Sequence, residues 1–589
     1  MIVFTGQLGR KYPINYIRLS AAYIAKKGFI TLLVVLLSAC SSSRYVQRLP
    51  EPAFSLGTDT TLVYQHFEQI NQIAASEIAD YCENLAQPPQ LAAGQALLLL
   101  YCVERWLTVD ASPQVVHLYN TALLPLVRGV LPQNTAEQGH SMVRLRFETK
   151  EVFDYKDFVL AADVHSLDLF MQPLQPATLG VSLIGVRKNT QQDTDRWYPP
   201  EGIFRAFTVL AVDWQWQDAG TPLLQLVAKK MLMPEQRIIG DVAVPITYDL
   251  ATPYLLLAEE AEVDRFELTG LLRADDVEHK LGIYAIEPLV ADKIPILMIH
   301  GLNSSPIIWR RLSWAIYNDP ALAKRYQIWH AFYPTGPPPF FNAMRLRQQL
   351  EQIREQLKTS SHDDSEEGIR ALTDMWVIGH SMGGIISRTM VVNSGKVLWD
   401  RTFTAPPERL RLSAEELQPL QDIFMFSARP YISGAIFIDT PHRGSHQARG
   451  LFGRMASAMI RLPTSMFKVF SRLWQDERMH YLTDEMRPYM SAQGTDSVRV
   501  LSPSHPLLQE LSKLPPQVPV YSVIGNNRPK RCQTPLVCPG LNDGVVSYHS
   551  AHLPQAQAEL IVPSKHDSYQ SPEAIAFILQ QLTAWQSAN

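Results

Sequence analysis

The apolar run Trp376-Val377-Ile378 leads directly into Gly379-His380-Ser381-Met382-Gly383-Gly384. The spacing reads as a strand, a sharp turn and a helix running from Met382 to about Val392. A serine on such a turn sits in strained backbone, so the residues two before and two after it must be small. Gly379 and Gly383 meet that need. The turn lifts the Ser381 hydroxyl clear of a sheet and aims a helix N-terminus at it. Backbone N–H groups there can hold a developing oxyanion, so the chemistry on offer is nucleophilic attack on a carbonyl. Gly-x-Ser-x-Gly alone is a weak signal; its place between strand and helix strengthens it.

A serine nucleophile needs a base, and the base needs an acid to orient it. Candidate histidines after Ser381 are His442, His446, His480, His505, His549, His552 and His566. Only His566, in Val562-Pro563-Ser564-Lys565-His566-Asp567, lies between the last predicted strand and the last helix, where a loop can swing an imidazole over the serine. Two acids compete. Asp543, in Leu541-Asn542-Asp543-Gly544-Val545-Val546, follows the strand predicted over Val518 to Ile524. Asp439, in Ile438-Asp439-Thr440-Pro441-His442-Arg443-Gly444, follows the strand Gly434 to Ile438 and is the alternative acid; otherwise it is expected to bond backbone and order His442 and Arg443. The order Ser, Asp, His suits the serine-turn fold. The strand Ile294 to His300 ends in His-Gly. Leu302, after that Gly301, and Met382, after the serine, are the expected oxyanion donors through their backbone N–H groups. His300 reads as structural.

The elements that must position these residues begin at about 286. From there to 589, strands alternate with helices, the pattern of a mainly parallel sheet covered on both faces. Two insertions interrupt it, 394–431 and 446–505. The second carries Met455, Met459 and Met466, and reads either as a helical lid over an apolar substrate or as an ordinary core helix. Before this unit, 59–138 reads as a helical region and 139–285 as a β-rich domain. Val143, Leu145 and Phe147 alternate there with Arg144, Arg146 and Glu148, and a two-sheet sandwich is the expected architecture.

At 589 residues, 46% hydrophobic and 19% charged, the chain is globular and long enough for two or three cores. A net charge of -4 gives no basic footprint for nucleic acid, and no partner of that kind is expected. Lys26 and Lys27 precede the apolar run Gly28 to Leu37, and Ser38-Ala39-Cys40 closes it, as in a secretory signal. Residues 41–58 read as a tether. In an exported chain the remaining cysteines fall into two candidate pairs, Cys532 with Cys538 and Cys82 with Cys102. No Cys-x-x-Cys occurs, and neither a metal nor a cofactor is expected.

Several of these segments carry a resemblance. Lys293-Ile294-Pro295, His300-Gly301-Leu302-Asn303-Ser304-Ser305-Pro306, Tyr333-Pro334-Thr335-Gly336, Gly379 to Gly384, Thr440-Pro441-His442-Arg443-Gly444-Ser445, Asn542-Asp543-Gly544-Val545-Val546 and His566 resemble a family of exported bacterial α/β hydrolases. More distantly they are similar to lipases and to the deacylases that act on GPI anchors. The resemblance spans about 290–589. It implies an α/β-hydrolase fold and a catalytic triad of Ser381, Asp543 and His566, without a cofactor. Asp439 departs from it, standing where such proteins usually have Ala or Gly. The loop from Cys532 to Cys538 looks like a local addition. Leu37-Ser38-Ala39-Cys40 resembles the bacterial lipobox, which implies cleavage before Cys40, lipidation of its sulfur and, with Ser41 next, sorting to the outer membrane of a Gram-negative envelope. The activity implied is cleavage of carboxylic esters of lipids or small molecules through an acyl-enzyme. An acyltransferase, an amidase or an inactive binding protein on the same scaffold are the alternatives.

Overall fold

A computed structural model describes residues 46–585, apart from 49–59, 88–90, 132–141, 150–153, 172–177, 192, 217–221, 262–268, 361–369, 447–459, 472–478, 491–495, 533 and 537. The signal segment and Cys40 therefore lie outside the described residues, as do Met455 and Met459. Among the described residues no helix is long and apolar enough to cross a membrane.

Among the described residues the first half supplies nine strands: β1 (Val46–Arg48), β2 (Val143–Phe147), β3 (Asp157–Leu160), β4 (Val164–Ser166), β5 (Val181–Arg187), β6 (Ile203–Trp216), β7 (Pro222–Lys230), β8 (Gln236–Ile239) and β9 (Val242–Pro245). Five of them form one sheet in the order β2-β7-β6-β5-β3. Among the described residues the expected sandwich of two sheets is not formed. Helices Ala93–Leu107 and Pro113–Val130 share one cluster with Leu183, Phe207 and Val209, while helix Ala251–Glu260 shares another with Ile184 and Phe204. The reason is visible in β6, which is buried without interruption from Ile203 to Ala211. A strand covered on both faces by helices needs such a run, whereas a sandwich strand would alternate. Only β2, at the sheet edge, keeps the alternation, with Arg144 and Arg146 exposed.

Among the described residues the helical region has no separate core. Its buried residues join a cluster that continues through the first sheet to Ile294, Trp309 and Val562 in the second half. Part of the expected tether is also docked: β1 pairs antiparallel with β4, and Val46 is buried. At the seam between the halves, the buried Lys293 ammonium lies 2.7 Å from Glu287 and donates to the Tyr248 hydroxyl at 3.0 Å. Removing one partner would leave a buried charge uncompensated, at a cost of about 3–5 kcal/mol.

The second half supplies β10 (Gly282–Ala285), β11 (Ile294–Ile299), β12 (Tyr326–Phe332), β13 (Trp376–His380), β14 (Gly434–Ile438), β15 (Val520–Gly525) and β16 (Ala558–Val562). They form one seven-stranded sheet in the order β10-β12-β11-β13-β14-β15-β16. β10 is antiparallel at the edge, and all other pairings are parallel. Helices Pro339–Ser360 and Met382–Val391 cover one face, and Arg310–Asn318 and Pro572–Ala584 the other. In the insertion 394–431, Trp399, Phe403 and Phe424 are buried in the core. Met466 is fully buried in the same core as Phe341 and Phe470. That insertion also reaches the loop after β12, where Ser497 N–H donates to the Gly336 carbonyl.

Candidate active site

Parallel strands deliver their loops to one end of the sheet, and the candidate residues gather there. Ser381 follows β13 with φ 53° and ψ -122°, a conformation an L-residue adopts only under constraint. Its N–H donates to the Ile438 carbonyl at 2.9 Å, and helix Met382–Val391 starts at the next residue. A Cβ at Gly383 would collide with the Ile299 and His300 carbonyl oxygens. One at Gly379 would collide with the Ser387 hydroxyl and the Gly383 carbonyl. The turn therefore has room for glycine alone at both places.

Ser381 Oγ lies 2.9 Å from His566 Nε2, and His566 Nδ1 lies 2.7 Å from Asp543 Oδ2. These three residues come from three separate loops, after β13, β16 and β15. Asp543 is buried, and its other oxygen accepts from the N–H groups of Val545 at 2.7 Å and Val546 at 2.6 Å. Its orientation is thus set by its own turn. Burial works to lower the His566 pKa, but the hydrogen bond and charge of Asp543, helped by the charge of Asp439, outweigh it, and the net direction is upward. A hydroxyl bonded to an imidazole that a carboxylate holds can act as an activated nucleophile.

The loop after β11 lies against the serine: a Cβ at Gly301 would sit 3.0 Å from Ser381 Cβ. Leu302 follows directly. Asn303, at φ 49°, is held by its N–H to the Thr335 hydroxyl at 3.2 Å. Met382 opens its helix, so its N–H has no acceptor within that helix. His300 is buried, stacked on Tyr333 with centroids 4.4 Å apart, and pushed down to about 4 by burial. It is neutral and packs the loop, in line with a structural role.

Asp439 does not touch His566 in place of Asp543. It is fully buried at φ 48° and accepts from Gly525 N–H at 2.7 Å, Ser568 N–H at 3.1 Å and the Ser568 hydroxyl at 2.9 Å. Burial raises its carboxyl well above the ordinary carboxylate range, and the nearby imidazole partly offsets that. It bonds backbone as expected, but that of Gly525 and Ser568, not that of His442 or Arg443. Those two have other tasks. Buried Arg388 donates to His442 Nδ1 at 3.0 Å, and Arg443 donates to the His549 and His552 carbonyls. Ser445 donates to the Val545 carbonyl, clamping the Asp543 turn. His446, His480, His505, His549 and His552 make no contact with the serine among the described residues.

His380 and Ser568 were not singled out from the sequence. The His380 ring lies 4.9 Å from the His566 ring and 4.7 Å from Tyr569, and burial holds it neutral. The available signals were its place beside the serine and, for Ser568, its place two residues after His566. Ligand atoms of His380, Asp439 and His566 lie within 4.8 Å of one another. The Asp439 oxygens and both His566 nitrogens are already hydrogen-bonded, so the trio offers a metal no open ligand set. Both cysteine pairs form disulfides, with Cα separations of 5.7 Å for Cys82–Cys102 and 5.3 Å for Cys532–Cys538.

Residues 291–399 match a family model described as the PGAP1-like alpha/beta domain. That stretch contains β11, the Gly301-Leu302 loop, β13 and Ser381. The second half of the chain is an α/β-hydrolase domain. Solved structures similar to it include the mature form of a Bacillus licheniformis lipase, 16% identical, covering 51% of this chain and 97% of that one, TM-score 0.29. Lipase 1 from Pelosinus fermentans is 12% identical, covering 50% and 100%, TM-score 0.26. A metagenomic carboxyl esterase is 14% identical, covering 47% and 66%, TM-score 0.24. No curated protein matches the chain. The fold assignment rests on strand order and the family match. The match ends before Asp543 and His566, whose nearness to Ser381 is a matter of geometry alone.

Proposed function

We propose that this chain is a serine hydrolase that cleaves carboxylic esters of lipids or small molecules through an acyl-enzyme. The observation that carries the reading is the unbroken chain of hydrogen bonds from Ser381 through His566 to Asp543. In the first half-reaction His566 Nε2 takes the Ser381 proton as Oγ attacks the ester carbonyl. The oxyanion is held by the N–H groups of Leu302 and Met382. His566 then gives the proton to the leaving alkoxide, leaving acyl-Ser381. Water, deprotonated by the same nitrogen, attacks the acyl group; the carboxylic acid leaves, and Ser381 regains its proton. Asp543 accepts from Nδ1 throughout, which keeps the proton on that nitrogen. No step calls on a cofactor.

The same reading places the protein in the cell envelope, lipid-anchored through Cys40 at the outer membrane of a Gram-negative cell. The lipobox-like Leu37-Ser38-Ala39-Cys40-Ser41 supports this, and two disulfides fit an oxidising compartment. The test is labelling by a fluorophosphonate probe together with turnover across a chain-length series of model esters. Labelling at Ser381 with ester turnover is expected. Absence of both in folded protein would leave a binding protein on a hydrolase scaffold. Dominant transfer to an added alcohol over water would make it an acyltransferase.

A further inference from the structure

The loop between β15 and Asp543 has a surface that the reaction does not use. Arg528, Lys530 and Arg531 are exposed on one turn, closed by the Arg531 and Cys532 N–H groups donating to the Arg528 carbonyl. None of the three makes an ion pair among the described residues. The Cys532–Cys538 disulfide then closes a short loop whose Leu536 is 96% exposed, the most exposed of the large apolar side chains described. From Asn526 to Val546 the sequence holds these three cations and a single acid, Asp543, which is buried. In a chain of net charge -4 that is a local reversal of sign. The neighbouring His566 loop adds one exposed cation, Lys565, and one exposed acid, Asp567.

The base of the loop is firmly held. Cys532 is buried with Ile524, Leu541, Val546 and Ala551, and Leu541 N–H donates to the Cys538 carbonyl at 3.1 Å. Asp543 is two residues further on. An exposed apolar side chain beside cations with no ion pair among the described residues fits an acyl boundary beneath anionic headgroups.

We propose that this disulfide-closed loop docks the active-site end of the molecule on an anionic lipid surface, with Leu536 entering the acyl boundary and Arg528, Lys530 and Arg531 on the headgroup phosphates. The proposal does not depend on ester cleavage, and its test needs no turnover. Hydrogen exchange of residues 528–541 is measured in the full-length Ser381→Ala chain, in vesicles of phosphatidylcholine alone and in vesicles mixed with phosphatidylglycerol. The N-terminal segment is present in both. Each cation is worth roughly a fivefold gain in partitioning onto an anionic surface. Exchange is therefore expected to slow by about tenfold or more in the mixed vesicles. Arg528→Glu, Lys530→Glu and Arg531→Glu together should abolish the difference, and Leu536→Asp should reduce it. Both variants should melt at the same temperature as the Ser381→Ala chain without vesicles, which shows that they fold. Equal exchange in the two vesicle types, or slowing that survives charge reversal, would overturn the proposal. Slowing that follows protein concentration without vesicles would overturn it in favour of self-association.

Discussion

Asp543→Asn is the change whose cost can be worked from the structure. The Asp543 side chain is buried, with one oxygen facing two backbone N–H groups and the other facing His566 Nδ1. An amide of the same shape has two ways to fit. It can keep its oxygen on Val545 and Val546 and turn its NH₂ to His566. The imidazole must then accept at Nδ1 and carry its proton on Nε2, where it can no longer take the Ser381 proton. In the reference triad that wrong tautomer costs about 10⁴-fold, or about 5.4 kcal/mol. Alternatively the amide flips, restores the tautomer and leaves two buried N–H groups without an acceptor. At about 1–3 kcal/mol each, that route costs about 2–6 kcal/mol, or about 30-fold to 10⁴-fold. The cheaper route sets the result, so a loss of at least about 30-fold follows on either. Asp439→Asn is the control. Its oxygen can keep Gly525 N–H and the Ser568 hydroxyl, and only the 3.1 Å bond from Ser568 N–H is lost. Two of the three hydrogen bonds are kept and none of them goes to His566 or Ser381, so the loss should stay within about tenfold. Both variants are assayed as kcat/KM on one short-chain ester, with folding checked by thermal melt. If Asp439→Asn proves crippling and Asp543→Asn mild, the acid belongs after β14 and the reasoning fails.

Four further outcomes are expected. Ser381→Ala should leave the thermal melt unchanged and remove both ester turnover and probe labelling; retained turnover in purified protein would exclude Ser381 as the nucleophile. Asp439→Asn should move the acid limb of the kcat/KM–pH profile to lower pH. The base works deprotonated, so the rate rises through the His566 pKa, and removing a carboxylate that helps raise that pKa lowers it; an unmoved or upward-shifted limb contradicts this. Cys40→Ser should release the chain from the membrane fraction with unchanged activity on soluble esters, and retention after a high-salt wash would instead make the apolar segment the anchor. Replacing Cys532 and Cys538 with serine should cost about 2 kcal/mol of stability, and replacing Cys82 and Cys102 about 3 kcal/mol, because the second pair closes the longer loop; urea unfolding midpoints check the ranking.

The local signals in this sequence are strong where chemistry constrains backbone. Gly379 and Gly383 announce the turn because no side chain fits against Ser387 or against the carbonyls of β11 and its end. The alternation of apolar runs and helical segments after 286 was enough for the parallel sheet, since a strand buried on both faces has to be apolar throughout. The position of His566 between the last strand and last helix was legible for the same reason: chain order in this fold dictates which loops meet. The sequence favours Asp543 over Asp439 through chain order and its Asn-Asp-Gly turn, but it does not place either carboxylate. Both follow strands that end at the site, and the choice depends on which carboxylate turns toward His566. Only packing decides that, through the Val545 and Val546 N–H groups in one case and those of Gly525 and Ser568 in the other. The first half reads as a sandwich from the alternation on β2, its exposed edge, while the other strands of that sheet are covered by helices that the local pattern does not name. Local pattern reports whether a face is buried. What buries it is a long-range contact, and that belongs to the tertiary structure alone.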